Sequence, residues 1–386
     1  MPGLNPNVDP DGLLEYSVVY TDRALNHMSR RFQGVMRDIS ATLKQVYHAR
    51  SAIVVPGSGT FGMEAVARQF ASGQPALVIR NGWFSFRWSQ IFDMGGIPSG
   101  HEVLKARRTG PGAQDPYAPA PIDEVEAAIA RMKPTVVCAP HVETASGMLL
   151  PDDYLRRVAA ATHAAGGLFV LDCIASGCLW VDMAALGVDV LVSAPQKGWS
   201  GSPGCAFVML SEAARARIDA TTSSSFACDL KKWLQIMETY EGGGHAYHAT
   251  MPTDTLARNR EVMAESAAYG FERLRAEQIE LGRQVRALLV KHGFPSVAAP
   301  GFEAPGVVVS YTTDAAVQNG SAFIAQGLQT AAGVPLQCDE GPDFKTFRIG
   351  LFGLDKLHEP ARAVAALERA LRVVAPLPEM QTVSAK

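Results

Sequence analysis

Between residues 52 and 210 the chain repeats short apolar runs that are too brief for helices and rich in β-branched types. They are Ala52–Val55, Ala76–Ile79, Thr135–Cys138, Leu168–Leu171, Val188–Val192 and Cys205–Leu210, and they read as buried strands. Stretches of helical spacing alternate with them: Gly62–Phe70, Phe84–Asp93, Asp123–Arg131 and Asp152–Ala165, with a more polar one, Ser29–Tyr47, ahead of the first strand. Buried strands separated by helices predict a largely parallel sheet covered on both faces. Helical periodicity then runs from Leu256 to His292 and can link two domains. Beyond it the alternation resumes: strand Gly306–Tyr311, helix Ala322–Ala332, strand Phe347–Leu351, helix Leu357–Val374. The expected organisation is an irregular N-terminal arm over 1–21, a large α/β domain over 22–269 and a smaller C-terminal α/β domain over 270–386.

Composition narrows the classes of function. The 386 residues are 47% hydrophobic and 19% charged, with a formal net charge of -3. That balance gives no general attraction to nucleic acid or to anionic membranes. No apolar run approaches bilayer length, and the first residues lack the basic start and apolar middle of a signal peptide, so a cytoplasmic location is expected. The cysteines Cys138, Cys173, Cys178, Cys205, Cys228 and Cys338 form no CxxC pair, so neither disulfides nor a zinc site is expected. No His/Cys/Asp/Glu group has metal-ligand spacing.

Candidate chemistry gathers at strand ends, where ligands collect in such sheets. Asp189–Gly198 runs from an apolar strand into a polar turn carrying Lys197, with Gly198, Gly201, Pro203 and Gly204 behind it. A lysine set among small residues between two buried strands suits an aldehyde cofactor, because a desolvated amine is a usable nucleophile. By itself the stretch also fits an ordinary loop lysine. Gly57-Ser58-Gly59-Thr60-Phe61-Gly62 matches GxGxxG between a strand and a helix, the setting of a phosphate cradle. The acidic residue of a dinucleotide site is missing, since the next strand ends Ile79-Arg80-Asn81; an NADP site using Gly57, Gly59, Gly62 and Arg80 stays open, as does a single phosphate on Ser58, Gly59 and Thr60. Trp83 can lay a flat face on an aromatic ligand or simply pack. Asp172 ends the apolar run Leu168–Leu171, and a buried carboxylate there needs a partner, for which a cationic ring nitrogen is one choice.

Together these residues resemble the pyridoxal-phosphate enzymes of fold type I, and more closely the class V aminotransferases of the alanine–glyoxylate and serine–glyoxylate branch. The resemblance runs from about Val54 to Gly353. It rests most on Ser193-Ala194-Pro195-Gln196-Lys197 with Pro203-Gly204, on Asp172, and on Arg348 in Phe347-Arg348-Ile349-Gly350. Ser58-Gly59-Thr60, Gly82-Trp83, His141–Gly147 and Tyr247–Pro252 add weaker support. It implies pyridoxal 5'-phosphate as cofactor, held by Lys197 as a Schiff base, with Asp172 on the pyridine nitrogen. It further implies Trp83 and Ile174 on the two ring faces, Thr144 near the ring oxygen, and Ser58, Gly59, Thr60 and Gln196 on the phosphate. Tyr247 and Thr250 would reach the phosphate of a neighbouring subunit, making a homodimer with shared active sites, and Arg348 would clamp a substrate carboxylate. The implied reaction passes an amino group from a small amino acid or related amine to a 2-oxo acid, glyoxylate or pyruvate, by two half-reactions. A cysteine desulfurase of the same fold is an alternative with Cys338 as its only candidate nucleophile, and Asp339 and Glu340 beside it work against a thiolate.

Overall fold

A computed structural model describes residues 13–377, so residues 1–12 of the expected arm lie outside it. The elements that build the site are, in chain order, α1 (Arg30–Tyr47), β1 (Ser51–Pro56), α2 (Gly59–Phe70), β2 (Pro75–Arg80), α3 (Trp83–Gly95), β3 (Gly100–Lys105), α4 (Ile122–Met132), β4 (Val136–Pro140), α5 (Asp152–Ala164), β5 (Leu168–Asp172), β6 (Val190–Ser193) and β7 (Cys205–Leu210). They are followed by α6 (Leu230–Glu241), α7 (Thr253–Tyr269), α8 (Phe271–Lys291), β8 (Val307–Tyr311), β9 (Ala331–Ala332), β10 (Thr346–Gly350) and α9 (Pro360–Val374).

Seven strands form the main sheet in the order β1-β7-β6-β5-β4-β2-β3. The pairings from β6 through β3 are parallel, and β7 runs antiparallel to both β6 and β1. Residues of β1, β5, β6 and β7 are almost wholly buried, as expected of strands covered on both faces. Helix α1 shows how the covering is encoded: Phe32, Met36, Ile39, Leu43 and Tyr47 recur along one buried face, and the Ser29 hydroxyl caps its start by accepting from the Phe32 N–H at 3.1 Å. Tight packing under α2 fixes its glycines. A Cβ at Gly62 would stand 2.5 Å from the Ala206 Cβ, and one at Gly59 2.4 Å from Ile174 Cδ1, so α2 approaches the sheet as only glycine allows.

A second, three-stranded antiparallel sheet has the order β8-β10-β9. Several features differ from the sequence reading. The helical periodicity from Leu256 to His292 is two helices, broken at Gly270, whose φ of 103° suits glycine. The helix expected over Ala322–Ala332 is a single turn, Ser321–Ile324, followed by Gly327 at φ 77° and the strand Ala331–Ala332. Alanine-rich composition gave that segment a helical pattern, while pairing to β10 takes its end into the sheet. The edge strand β3 carries His101, Glu102 and Lys105, and its polarity hides it from an apolar-run reading.

Candidate active site

The parallel strands aim their carboxyl ends at one region. Register places Pro140, Asp172 and Val192 side by side across β4, β5 and β6. Lys197 follows β6, Glu143 and Thr144 follow β4, α3 begins after β2, and α2 begins after β1. Arg348 comes from the middle of β10 in the second sheet.

Phe84, the second residue of α3, is the point on which the cations converge. The Lys197 Nζ lies 5.6 Å from its ring centroid, the Arg348 Cζ 5.7 Å and the Arg87 Cζ 5.3 Å. Phe352 stands 5.9 Å from the same amine. Arg87 also donates to the Thr60 hydroxyl at 3.0 Å, which brings a positive charge to the first turn of α2. Trp83 is half-buried beside it, with its ring 5.7 Å from Phe86; both Trp83 and Phe84 pack on the smaller apolar cluster, and it is Phe84 that the three cations face.

Glu143 sets where α3 starts. Its buried carboxylate accepts the N–H groups of Phe84 at 3.2 Å, Ser85 at 2.8 Å and Ala145 at 3.0 Å, and the Ser85 hydroxyl at 2.7 Å. Unpaired N–H groups at a helix start favour an anion there. Gly82 lies so close that a Cβ would come within 2.7 Å of Glu143 Cγ.

Burial sets the electrostatics. It pushes the Lys197 ammonium below its usual range, against the upward pull of Asp172 and Glu143, while Arg348 and Arg87 push it further down. Burial likewise pushes Asp172 up to about 6, a rise that the Ile174 N–H and Lys197 partly oppose. The Ile174 N–H donates to Asp172 Oδ1 at 2.9 Å. A desolvated carboxylate so placed is suited to a cationic partner.

The residues fit pyridoxal 5'-phosphate on several independent counts. Asp172 is an anion in search of a cation. The Thr144 hydroxyl is buried and has no partner among the described residues. Ser58 makes no side-chain cap to α2, leaving its hydroxyl and the first-turn N–H groups to an anion. Ile174 packs directly over Gly59. Gln196 is exposed at the turn before Lys197. Tyr247 and Thr250 are not drawn into this gathering within one chain. Tyr247 is exposed, bonds Thr250 at 3.0 Å and sits with its ring 5.6 Å from His27.

Phe84, Arg87 and Glu143 received no role from the sequence. Arg87 becomes visible only once α3 is known to start at Trp83, which puts it one turn after Phe84 and on the same face. Glu143 had a signal: a carboxylate at a strand end among small residues, inside the His141–Gly147 stretch.

The alternative chemistries lose their residues. Cys338 is buried, its thiol pushed up to about 12 by that burial, and its Sγ faces the Arg80 carbonyl at 3.4 Å, which does not suit a nucleophilic thiolate. Arg80 is also buried, donating to Ser89 at 2.8 Å and the Gln337 carbonyl at 3.1 Å, so it is not free for a ribose phosphate.

Comparison with known proteins agrees with this geometry. Residues 13–314 match the sequence profile of the family described as aminotransferase class-V. Alanine–glyoxylate aminotransferase of Felis catus is 28% identical over 90% of this chain and 82% of its own length. The 2-aminoethylphosphonate–pyruvate transaminase of Burkholderia thailandensis is 30% identical over 97% of this chain and 99% of its own. The crystal structure of ureidoglycine–glyoxylate aminotransferase from Bacillus subtilis superposes with a TM-score of 0.75 at 21% identity, covering 94% of this chain and 90% of that one. The chain therefore belongs to the class V aminotransferases, pyridoxal-phosphate enzymes of fold type I.

Proposed function

We propose that this aminotransferase takes an amino group from a small amino acid or related amine and delivers it to glyoxylate or pyruvate, in two half-reactions, as a homodimer with shared sites. One observation carries the reading: the Lys197 amine and the Arg348 guanidinium, from separate segments, both face the Phe84 ring, and the buried Asp172 carboxylate acts on the same amine. The relatives named for glyoxylate and for pyruvate support the choice of acceptor.

Pyridoxal 5'-phosphate, when bound, supplies an electrophilic carbon and an electron sink for the substrate's Cα. Lys197 would hold it, and its lowered proton affinity gives the amine a larger neutral fraction for attack and, once released, for taking the proton from Cα. Asp172 would hold the proton on the ring nitrogen by pairing with it. Phe84 is the ring we assign to stacking, in place of Trp83, with Ile174 on the opposite face. Ser58, Gly59, Thr60 and Gln196 would hold the phosphate, with the Arg87 charge behind Thr60, and Thr144 would meet the ring oxygen. Arg348 spends its Nε on the Ala332 carbonyl at 2.8 Å. Its two Nη groups remain as a fork for a carboxylate.

Tyr16, Val18, Phe226 and Tyr247 are exposed large apolar or aromatic side chains, which a partner chain in the proposed dimer would be able to cover. Tyr247 and Thr250 would then serve the partner's phosphate. The division at 269/270 belongs to the same proposal, with Gly270 as the break. All six cysteines are unpaired and buried, which supports a cytoplasmic setting; no described helix is long and apolar enough to cross a membrane. The test is spectroscopic. The purified holoenzyme should bleach its cofactor band with one class of amine, release the matching oxo acid, and recover the band with glyoxylate or pyruvate but not with 2-oxoglutarate. Release of sulfur from cysteine without transamination would overturn the assignment.

A further inference from the structure

Away from the Lys197 cleft, a cavity of about 760 Å³ lies between the loops that follow β4 and β5 and one face of α8. None of Lys197, Asp172, Arg348, Phe84 and Thr60 lines it. Its apolar wall includes Leu149, Trp180 and Ile279, and its polar groups include His141, Arg275 and Arg286. That size and mixture are those of a small-ligand pocket.

Two of the four guanidiniums on the wall have no ion pair among the described residues. Arg286 spends its guanidinium on neutral acceptors, the Ser296 hydroxyl at 2.9 Å and the Ala304 carbonyl at 2.8 Å. Among the described residues Arg275 makes no ion pair. The other two arginines on the rim are paired, Arg156 with Asp153 at 2.6 Å and Arg283 with Glu280 at 2.6 Å. Of the rim carboxylates, Asp152 faces Arg156 at 3.8 Å and Asp182 faces His48 at 2.8 Å. Glu303, the rim carboxylate without an ion pair among the described residues, acts on Arg286 through space and accepts the Gly301 N–H at 3.1 Å. His141 is buried and has Nδ1 on the Ser176 hydroxyl at 2.7 Å, which leaves Nε2 as its remaining polar atom. Ile279 is 46% exposed on the same face of α8, one turn after Arg275, so cation and apolar side chain alternate along the cleft.

We propose that this cleft is a second ligand site, for a small amphipathic anion: an aromatic or branched apolar body carrying one anionic head group. The body lies on Leu149, Trp180 and Ile279, and the head meets Arg275 and Arg286. A C2 or C3 oxo acid fills little of such a volume, so the ligand is distinct from the substrates of transamination.

The experiment uses the full chain loaded with pyridoxal 5'-phosphate and the fluorescent aryl sulfonate 8-anilinonaphthalene-1-sulfonate as probe. Saturable binding of one probe per chain is expected, undisturbed by saturating pyruvate. Arg275→Ala is expected to weaken it about tenfold, the loss of one charge-assisted contact. Ala287→Trp, which fills the cleft from an exposed position on α8, is expected to remove it, with transaminase activity and melting temperature retained in both variants. No saturable binding to the dimer, binding unchanged in both variants, or displacement by pyruvate overturns the site. Loss in Ala287→Trp with no change in Arg275→Ala overturns the anionic head group.

Discussion

Asp172 shows at a single residue how burying a charge works against stability. Its carboxyl titrates at about 6 instead of 3.8 because burial penalises the charged form. The folded, cofactor-free chain therefore binds this proton more tightly than the unfolded one does. Between about pH 4 and 6 stability falls as pH rises, and at neutral pH the charge costs on the order of 3 kcal/mol. Asp172→Asn keeps an oxygen for the Ile174 N–H and removes the charge. In cofactor-free protein it should melt several degrees higher than wild type at neutral pH, with the gain vanishing below about pH 4, while transamination falls by orders of magnitude. A lower melting temperature at neutral pH would show that the carboxylate is already satisfied without cofactor. The neighbouring choice between Trp83 and Phe84 is also settled one residue at a time. Phe84→Ala should weaken cofactor retention and cut kcat at least tenfold, as expected for a lost aromatic face. Trp83→Ala should act mainly on melting temperature and leave the cofactor spectrum in place. Absorbance spectra after dialysis, with steady-state rates, separate the two.

At the scale of elements, the position of α3 decides whether Phe84 faces the amine, and Glu143 decides the position of α3. Glu143→Gln preserves shape but removes the charge that accepts three backbone N–H groups. It should cost about 1–3 kcal/mol, measured by denaturant melts, and raise the KM for the amine more than it lowers kcat. An unchanged KM with the same loss of stability would make Glu143 a cap and nothing more. Elements were legible in the sequence where burial is symmetric. Strands covered on both faces announce themselves as apolar runs, and their carboxyl ends put Asp172 and Lys197 in one place before any coordinates. What stayed hidden depends on a start or a stop. The first residue of α3 decides that Phe84 meets the three cations, and no periodicity marks it. Gly270 splits one apolar pattern into two helices because its φ of 103° breaks the backbone without interrupting the spacing. The short strand Ala331–Ala332 owes its identity to β10, fifteen and more residues away in sequence, and alanine gives it no local preference for a sheet.

At the scale of the whole molecule, the proposed dimer is what would give Tyr247 and Thr250 a purpose. Within one chain they bond each other at 3.0 Å, and Tyr247 keeps 53% of its surface exposed. On the dimer proposal their hydroxyls would reach out of the chain to a neighbour's phosphate. Sharing has a consequence that separate sites lack. In a symmetric dimer each phosphate would be held by hydroxyls from the partner, so damage to Lys197 and damage to the Tyr247–Thr250 pair fall on different sites of a mixed dimer. A Lys197→Ala chain paired with a Tyr247→Phe/Thr250→Ala chain would carry one site with both lesions and one with neither. Each variant alone should be severely impaired, the first for want of the amine and the second for want of phosphate contacts. Unfolded and refolded together in equal amounts, half of the dimers should be mixed and half of their sites intact, giving about a quarter of wild-type activity. Activity no greater than the mean of the two parents would place the pair in its own chain's site, or outside the site altogether, and the homodimer would lose its catalytic rationale.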